Sequence, residues 1–235
     1  MSPHIPIVEK LSVSNWQHLS QSERLSALIE LEEKFALQEG RNVCEVEFIP
    51  DNVIFQDPDP ERLYGRYIPE HVDENGNLIK ETIQINPLHL EESVDKPFTA
   101  VETYFHEARH AYQNHIADHP ELAESSQQAS DFYKAKHGGY LDSKQYGAYY
   151  RCQPTEIDAN HRGQSNTAIY YEQFSELDDY LDHMKSKEYE ERSQGFAIEN
   201  IYKDDAREMV EQQYQKAVSR EQTNENEMTK VAPSN

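Results

Sequence analysis

Leu25, Leu28, Ile29, Leu31, Phe35 and Ala36 recur at intervals of three and four residues, which places apolar side chains along one stripe of a helix. Ser20-Gln21-Ser22-Glu23 ahead of them has the form of a capping box, and Gly40 behind them suits the residue that closes a helix, so the pattern predicts a helix from about Ser22 to Gln38. The period then changes to two. Cys44, Val46 and Phe48 alternate with Glu45 and Glu47, as in a strand with one wet face. Arg66 to Val72 and Leu78 to Ile85 flank Asp73-Glu74-Asn75-Gly76-Asn77, whose Asn-Gly pair supplies the positive φ angles of a hairpin. In the second arm Ile83 and Ile85 are expected to face a core and Thr82 and Gln84 to face away. Pro87 makes Glu81 to Asn86 an expected edge strand.

From Lys96 the pattern turns helical, with Pro97 in a first-turn position and Val101, Tyr104, Phe105, Ala108, Ala111 and Tyr112 following before Pro120. Further helices are predicted near Glu121 to Lys136, Ser143 to Arg151, Pro154 to His161, Ala168 to Lys185 and Asp204 to Ser219, with Gly138-Gly139 as a break. Residues 221–235 are polar and aperiodic, so a disordered tail is expected behind a single domain over residues 1–220. A small, mostly antiparallel N-terminal sheet followed by a helical half defines the α+β class.

Charge narrows the partners. The chain of 235 residues carries 22 Lys and Arg against 44 Asp and Glu, a formal charge of −22. Such a surface repels phosphate backbones, so nucleic acid is not an expected partner; a basic protein suits it better, and the alternative is a charge that serves solubility alone. No apolar run approaches the roughly 20 residues that span a bilayer, and the stretch from Met1 to Leu11 has neither a basic start nor an apolar core. A cytoplasmic protein, or one delivered without a cleavable signal peptide, is therefore expected. Cys44 and Cys152 alone cannot build a disulfide framework and suit a reducing compartment.

The helix opening near Pro97 contains His106-Glu107-Ala108-Arg109-His110, an H-E-x-x-H arrangement. Residues four apart stand one above the other on a helix, so His106 and His110 can direct ring nitrogens at one metal ion, with Glu107 displaced toward a metal-activated water. Imidazole and carboxylate ligands suit zinc, and one Zn²⁺ per chain is expected. A third ligand is sought in Gln153-Pro154-Thr155-Glu156-Ile157-Asp158-Ala159-Asn160, where Pro154 can open a helix carrying an inward carboxylate. Glu156 is favoured over its rivals Asp158 and His161. Asp158 lies about 200° around the helix from Glu156, so it is expected to orient a neighbour or cap a helix.

These two segments resemble the zincin metallopeptidases of gluzincin type, in which a second helix supplies a glutamate to the H-E-x-x-H pair. Glu156-Ile157-Asp158-Ala159-Asn160 is similar to the E-x-[DE]-A-N element of the ImmA/IrrE-like peptidases, and His106 to Gln113 looks like the metallopeptidase domains of bacterial polymorphic toxins and secreted effectors. The resemblance covers Leu78 to His161, and Arg109 departs from it, since the extended pattern has uncharged residues there. It implies a zincin-like fold and hydrolysis of peptide bonds in a protein or peptide substrate, with Glu107 as general base. It also implies an oxyanion donor, for which Tyr149, Tyr150 and Tyr170 are candidates, and an edge strand that holds an extended substrate, for which Glu81 to Asn86 is the candidate. The alternative function is a non-catalytic acidic interaction protein whose metal is structural or absent.

Overall fold

The computed structural model describes residues 5–57, 60, 63–186 and 199–231. Its contacts divide the chain into two compact units, Met1–His115 with Asp158–Ser193, and Ile116–Ile157 with Gln194–Asn235. The architecture is mixed α+β and mostly helical.

In the first unit a short helix α1 (Val13–Trp16) precedes α2 (Gln21–Glu39), which opens with the Ser20/Glu23 capping box and closes on Gly40 at φ 72°. Strand β1 (Glu45–Phe48) and a single turn α3 (Asp51–Ile54) follow. Next come β2 (Gly65–Ile68), β3 (His71–Val72), β4 (Leu78–Ile79) and β5 (Thr82–Ile85). The predicted hairpin is present as the antiparallel β3–β4 ribbon. Asp73 organises its turn, accepting from the backbone N–H groups of Asn75 (2.9 Å) and Asn77 (2.8 Å).

Strand β5 departs from expectation. It is the centre of the three-stranded sheet β1-β5-β2, parallel to β1 and antiparallel to β2, so the edges belong to β1 and β2. All four of its residues are buried, Thr82 and Gln84 included. Gln84 is covered from both sides, because its amide accepts from Arg66 on β2 and donates to Glu47 on β1, each at 2.5 Å. Alternation in the sequence reports a half-wet strand only when side chains from neighbouring strands leave the polar face open.

Against this sheet lie α2 and the long helix α4 (Phe98–Asp118), which share one apolar core. Leu28, Leu31 and Phe35 of α2 meet Val101, Phe105 and Ala108 of α4 together with Val46, Ile83 and Ile85. The buried Glu32 carboxylate joins three elements at one point: it takes two bonds from Arg41 (2.6 and 2.8 Å), one from the Tyr104 hydroxyl (2.9 Å) and one from the Cys44 N–H (2.8 Å). A desolvated carboxylate so fully paired costs little to bury and fixes α4 relative to α2 and the start of β1. The N-terminal segment also belongs to the core, with Ile5, Val8, Leu11 and Trp16 at most 1% exposed. Its apolar positions recur every third residue from Ile5, a signal present in the sequence.

Helix α5 (Ser126–Lys134), the short α6 (Ser143–Tyr146) and α7 (Ala148–Cys152), the start of α8 (Pro154–Gln173), and α10 (Glu199–Val231) build the second unit. Its small core gathers Leu141, Cys152, Ala206 and Val210. Helix α9 (Leu177–Met184) lies in the first.

Helix α8 runs unbroken through residues 162–167, where the sequence predicts a gap between two helices. The chain turns instead at Ser175, whose φ is 60°. Gly163 lowers intrinsic helicity, yet a Cβ there would stand 3.4 Å from the Glu102 carbonyl oxygen and from Cα and Cβ of His106, so the glycine serves close approach of α8 to α4. Helix α10 extends to Val231 and so takes in most of the segment expected to be an aperiodic tail, because Glu, Gln, Lys and Met propagate a helix already begun. Residues 232–235 lie outside the described residues. Among the described residues no helix is long and apolar enough to cross a membrane.

Candidate metal centre

Helix α4 is buried on nearly every side. Besides its apolar stripe it hides Glu102, Glu107, Arg109 and Gln113, each at most 7% exposed. Polar groups taken from water need specific partners. Glu102 accepts from the Tyr180 hydroxyl at 2.6 Å. Arg109 forms a two-point ion pair with Asp158 on α8, Nε to Oδ2 at 2.6 Å and Nη2 to Oδ1 at 3.0 Å, and its guanidinium lies 4.4 Å over the ring of Tyr112. Burial pulls the Arg109 pKa down, but the hydrogen bonds and charge of Asp158 outweigh it and leave the value raised. The arginine that departs from the extended zincin pattern is thus a latch between α4 and α8, off the histidine face.

That latch sets the register of α8. Asp158 is held on Arg109 and Gly163 lies against His106, both on the helix that also carries Glu156. One ligand atom from each of His106, His110 and Glu156 lies within 4.8 Å of the others. The two Nε2 atoms of His106 and His110 are 3.1 Å apart. Two nitrogens bound to a tetrahedral zinc at roughly 2.0–2.1 Å lie about 3.3 Å from each other, so the imidazole pair fits a shared ion with little adjustment. Two nitrogens and a carboxylate oxygen are also a donor set that zinc accepts, with a fourth position left for water or substrate.

Glu107 is 7% exposed and stands outside this trio. Its Cγ lies beside Gly65 on β2, 3.2 Å from where a Cβ would be. Asp158 is engaged with Arg109 and, through Oδ2, with the Gln113 amide at 2.8 Å. His161, its rival as a ligand, is exposed.

The three candidate tyrosines differ in their surroundings. Tyr170 is fully buried and exchanges hydrogen bonds with the backbone of Val8 (3.0 and 3.2 Å), which commits it to the N-terminal segment. Tyr149 packs edge-on against Tyr202, with ring centroids 5.2 Å apart, at the core of the second unit. Tyr150 packs edge-on against Tyr140 at 6.0 Å. Tyr140, which the sequence reading passes over, donates its hydroxyl to Glu156 Oε1 at 2.5 Å. Burial of that hydroxyl and the charge of Glu156 push the phenol pKa well above its ordinary value. Its position depends on a clasp: the fully buried Gln153 accepts from the Leu141 N–H (3.0 Å) and donates to the Leu141 carbonyl (3.2 Å), pinning the residue next to Tyr140 onto the start of α8. Gln113, also passed over, sits one turn beyond His110 and accepts or donates at its Nδ1 across 2.9 Å. That relation was open to a reading of helix spacing. The Tyr140 contact was not, since it rests on a tertiary amide pair.

Comparison with protein-family models, with curated proteins and with solved structures returns no match to the chain.

Proposed function

We propose that this protein is a zinc-dependent metallopeptidase of zincin-like fold, acting on a protein or peptide substrate. The observation that carries the reading is the convergence of His106, His110 and Glu156, with a further buried carboxylate, Glu107, following His106 on the same helix and outside the trio. A purely structural ion has no use for that extra carboxylate; hydrolysis does.

Zinc held by His106, His110 and Glu156 would polarise the scissile carbonyl and acidify water. Glu107 accepts the proton of the attacking water and returns it to the departing amine, which requires a carboxylate near the ion but not on it. Tyr140 holds Glu156 through its hydroxyl. An extended peptide is held by strand addition at the β2 edge, in place of the Glu81 to Asn86 segment, because Gly65 brings that edge directly against Glu107.

The direct test is zinc content and peptide hydrolysis of the purified chain. Stoichiometric zinc, loss of cleavage on chelation and its return with zinc support the proposal. A wild-type protein that takes up no zinc from solution overturns it and favours the acidic interaction protein.

Gly65→Ala probes the β2 edge. An ideal Cβ would stand 2.6 Å from Thr103 Cγ2, 3.0 Å from the Gln84 carbonyl oxygen and 3.2 Å from Glu107 Cγ. Overpacking of this kind costs about 1–3 kcal/mol, and it presses on the Glu107 stem, so turnover falls by less than the roughly 100-fold that a full ångström of misplacement costs. Zinc content should stay at the wild-type level while kcat and Tm both fall, as measured by peptide assay and thermal unfolding.

A further inference from the structure

Four side chains form a series from an arginine to an imidazole: Arg109, Asp158, Gln113, His110. Asp158 Oδ2 accepts from Arg109 Nε at 2.6 Å and lies 2.8 Å from the Gln113 amide, whose other end lies 2.9 Å from His110 Nδ1. The proton positions follow from chemistry. An ion-paired carboxylate only accepts, so the Gln113 atom facing Asp158 is its NH₂ group and the atom facing His110 is its carbonyl oxygen. Reversing the amide would set two acceptors 2.8 Å apart and lose the bond to Asp158. A carbonyl oxygen likewise only accepts, so His110 Nδ1 carries hydrogen.

We infer that Gln113 is a positioning residue that fixes His110 as its Nδ1–H tautomer and leaves the Nε2 lone pair facing His106. The 3.1 Å contact between the two Nε2 atoms agrees, with His106 as the donor across it in the metal-free protein. The value of this arrangement for zinc rests on the metallopeptidase reading, since a neutral imidazole binds metal only through a bare nitrogen. Gln113 differs from a carboxylate placed directly on the imidazole. The amide passes on the orientation of Asp158, while the charge of Asp158 is spent on Arg109.

The test uses the ¹⁵N-labelled full chain without metal, near neutral pH, with His110 assigned by its loss in His110→Gln. Long-range ¹H–¹⁵N correlations should show a protonated Nδ1 and a bare Nε2 at His110. Gln113→Leu, close in volume, should convert that signature to a mixture of tautomers and weaken zinc binding about 10- to 100-fold. Gln113→Glu keeps an acceptor toward His110 but sets its other oxygen against Asp158, so the Nδ1–H form should persist while Tm falls. Hydrogen on Nε2 of His110 in the metal-free wild type, or a tautomer unchanged by Gln113→Leu, overturns the inference. The wild-type spectrum decides even where a variant does not fold. Because the tautomer is read without zinc, this inference and the proposed hydrolysis can fail separately: a bare Nε2 in a chain that takes up no zinc refutes only the latter.

Discussion

Glu107→Gln should retain stoichiometric zinc and lose peptide hydrolysis by about 1,000-fold, within the roughly 10²–10⁴ that a positioned general base supplies. The substitution keeps the size of a side chain that is 7% exposed and packed beside Gly65, so the fold has no reason to change. It also leaves His106, His110 and Glu156 untouched, and these are the residues that would hold the ion. What it removes is proton affinity. An amide cannot take a proton from water at neutral pH, and the backbone of α4 offers no replacement because its carbonyls are spent within the helix. Elemental analysis and a fluorogenic peptide assay on the same preparation separate the outcomes. Cleavage at the wild-type rate by the zinc-loaded variant would remove Glu107 from the mechanism. Loss of zinc together with cleavage would instead make it a ligand or a structural support.

The helical half of this reading was legible because helix spacing is local. His106, Glu107 and His110 occupy positions whose relation is fixed by 3.6 residues per turn, and Pro154 announced the start of α8. The sheet was less legible. The strand segments were visible, but whether β5 lay at an edge or in the centre depended on a parallel partner, β1, far away in the chain. Periodicity describes one strand's faces and carries no information about who sits beside it. The gap expected between His161 and Ala168 failed for a related reason: the close packing of Gly163 on His106 that favours a continuous helix is not visible along the chain. Arg109 looked like a defect in a motif until Asp158 was placed opposite it.

Helix α8 provides the second large effect, because two carboxylates two residues apart are given different work. Glu156→Ala removes the only carboxylate of the trio and should weaken zinc binding by more than the roughly 100-fold at which loss of an outer partner tops out. Its cost to the metal-free fold should be small, about 1 kcal/mol, since the Tyr140 hydroxyl loses one partner while a desolvated carboxylate is also removed. Asp158→Ala should invert this balance. It strands the guanidinium of Arg109, whose side chain is 7% exposed, and breaking such a pair costs about 3 kcal/mol, roughly 6–12 °C in Tm for a chain of this size. Zinc binding should fall less than in Glu156→Ala, through the loosened Gln113 amide and the loosened start of α8. Calorimetric zinc titration and thermal unfolding of the metal-free variants give the four numbers required. Should Asp158→Ala abolish zinc binding while Glu156→Ala leaves it intact, the assignments of ligand and latch must be exchanged, and with them the geometry on which the proposed hydrolysis rests.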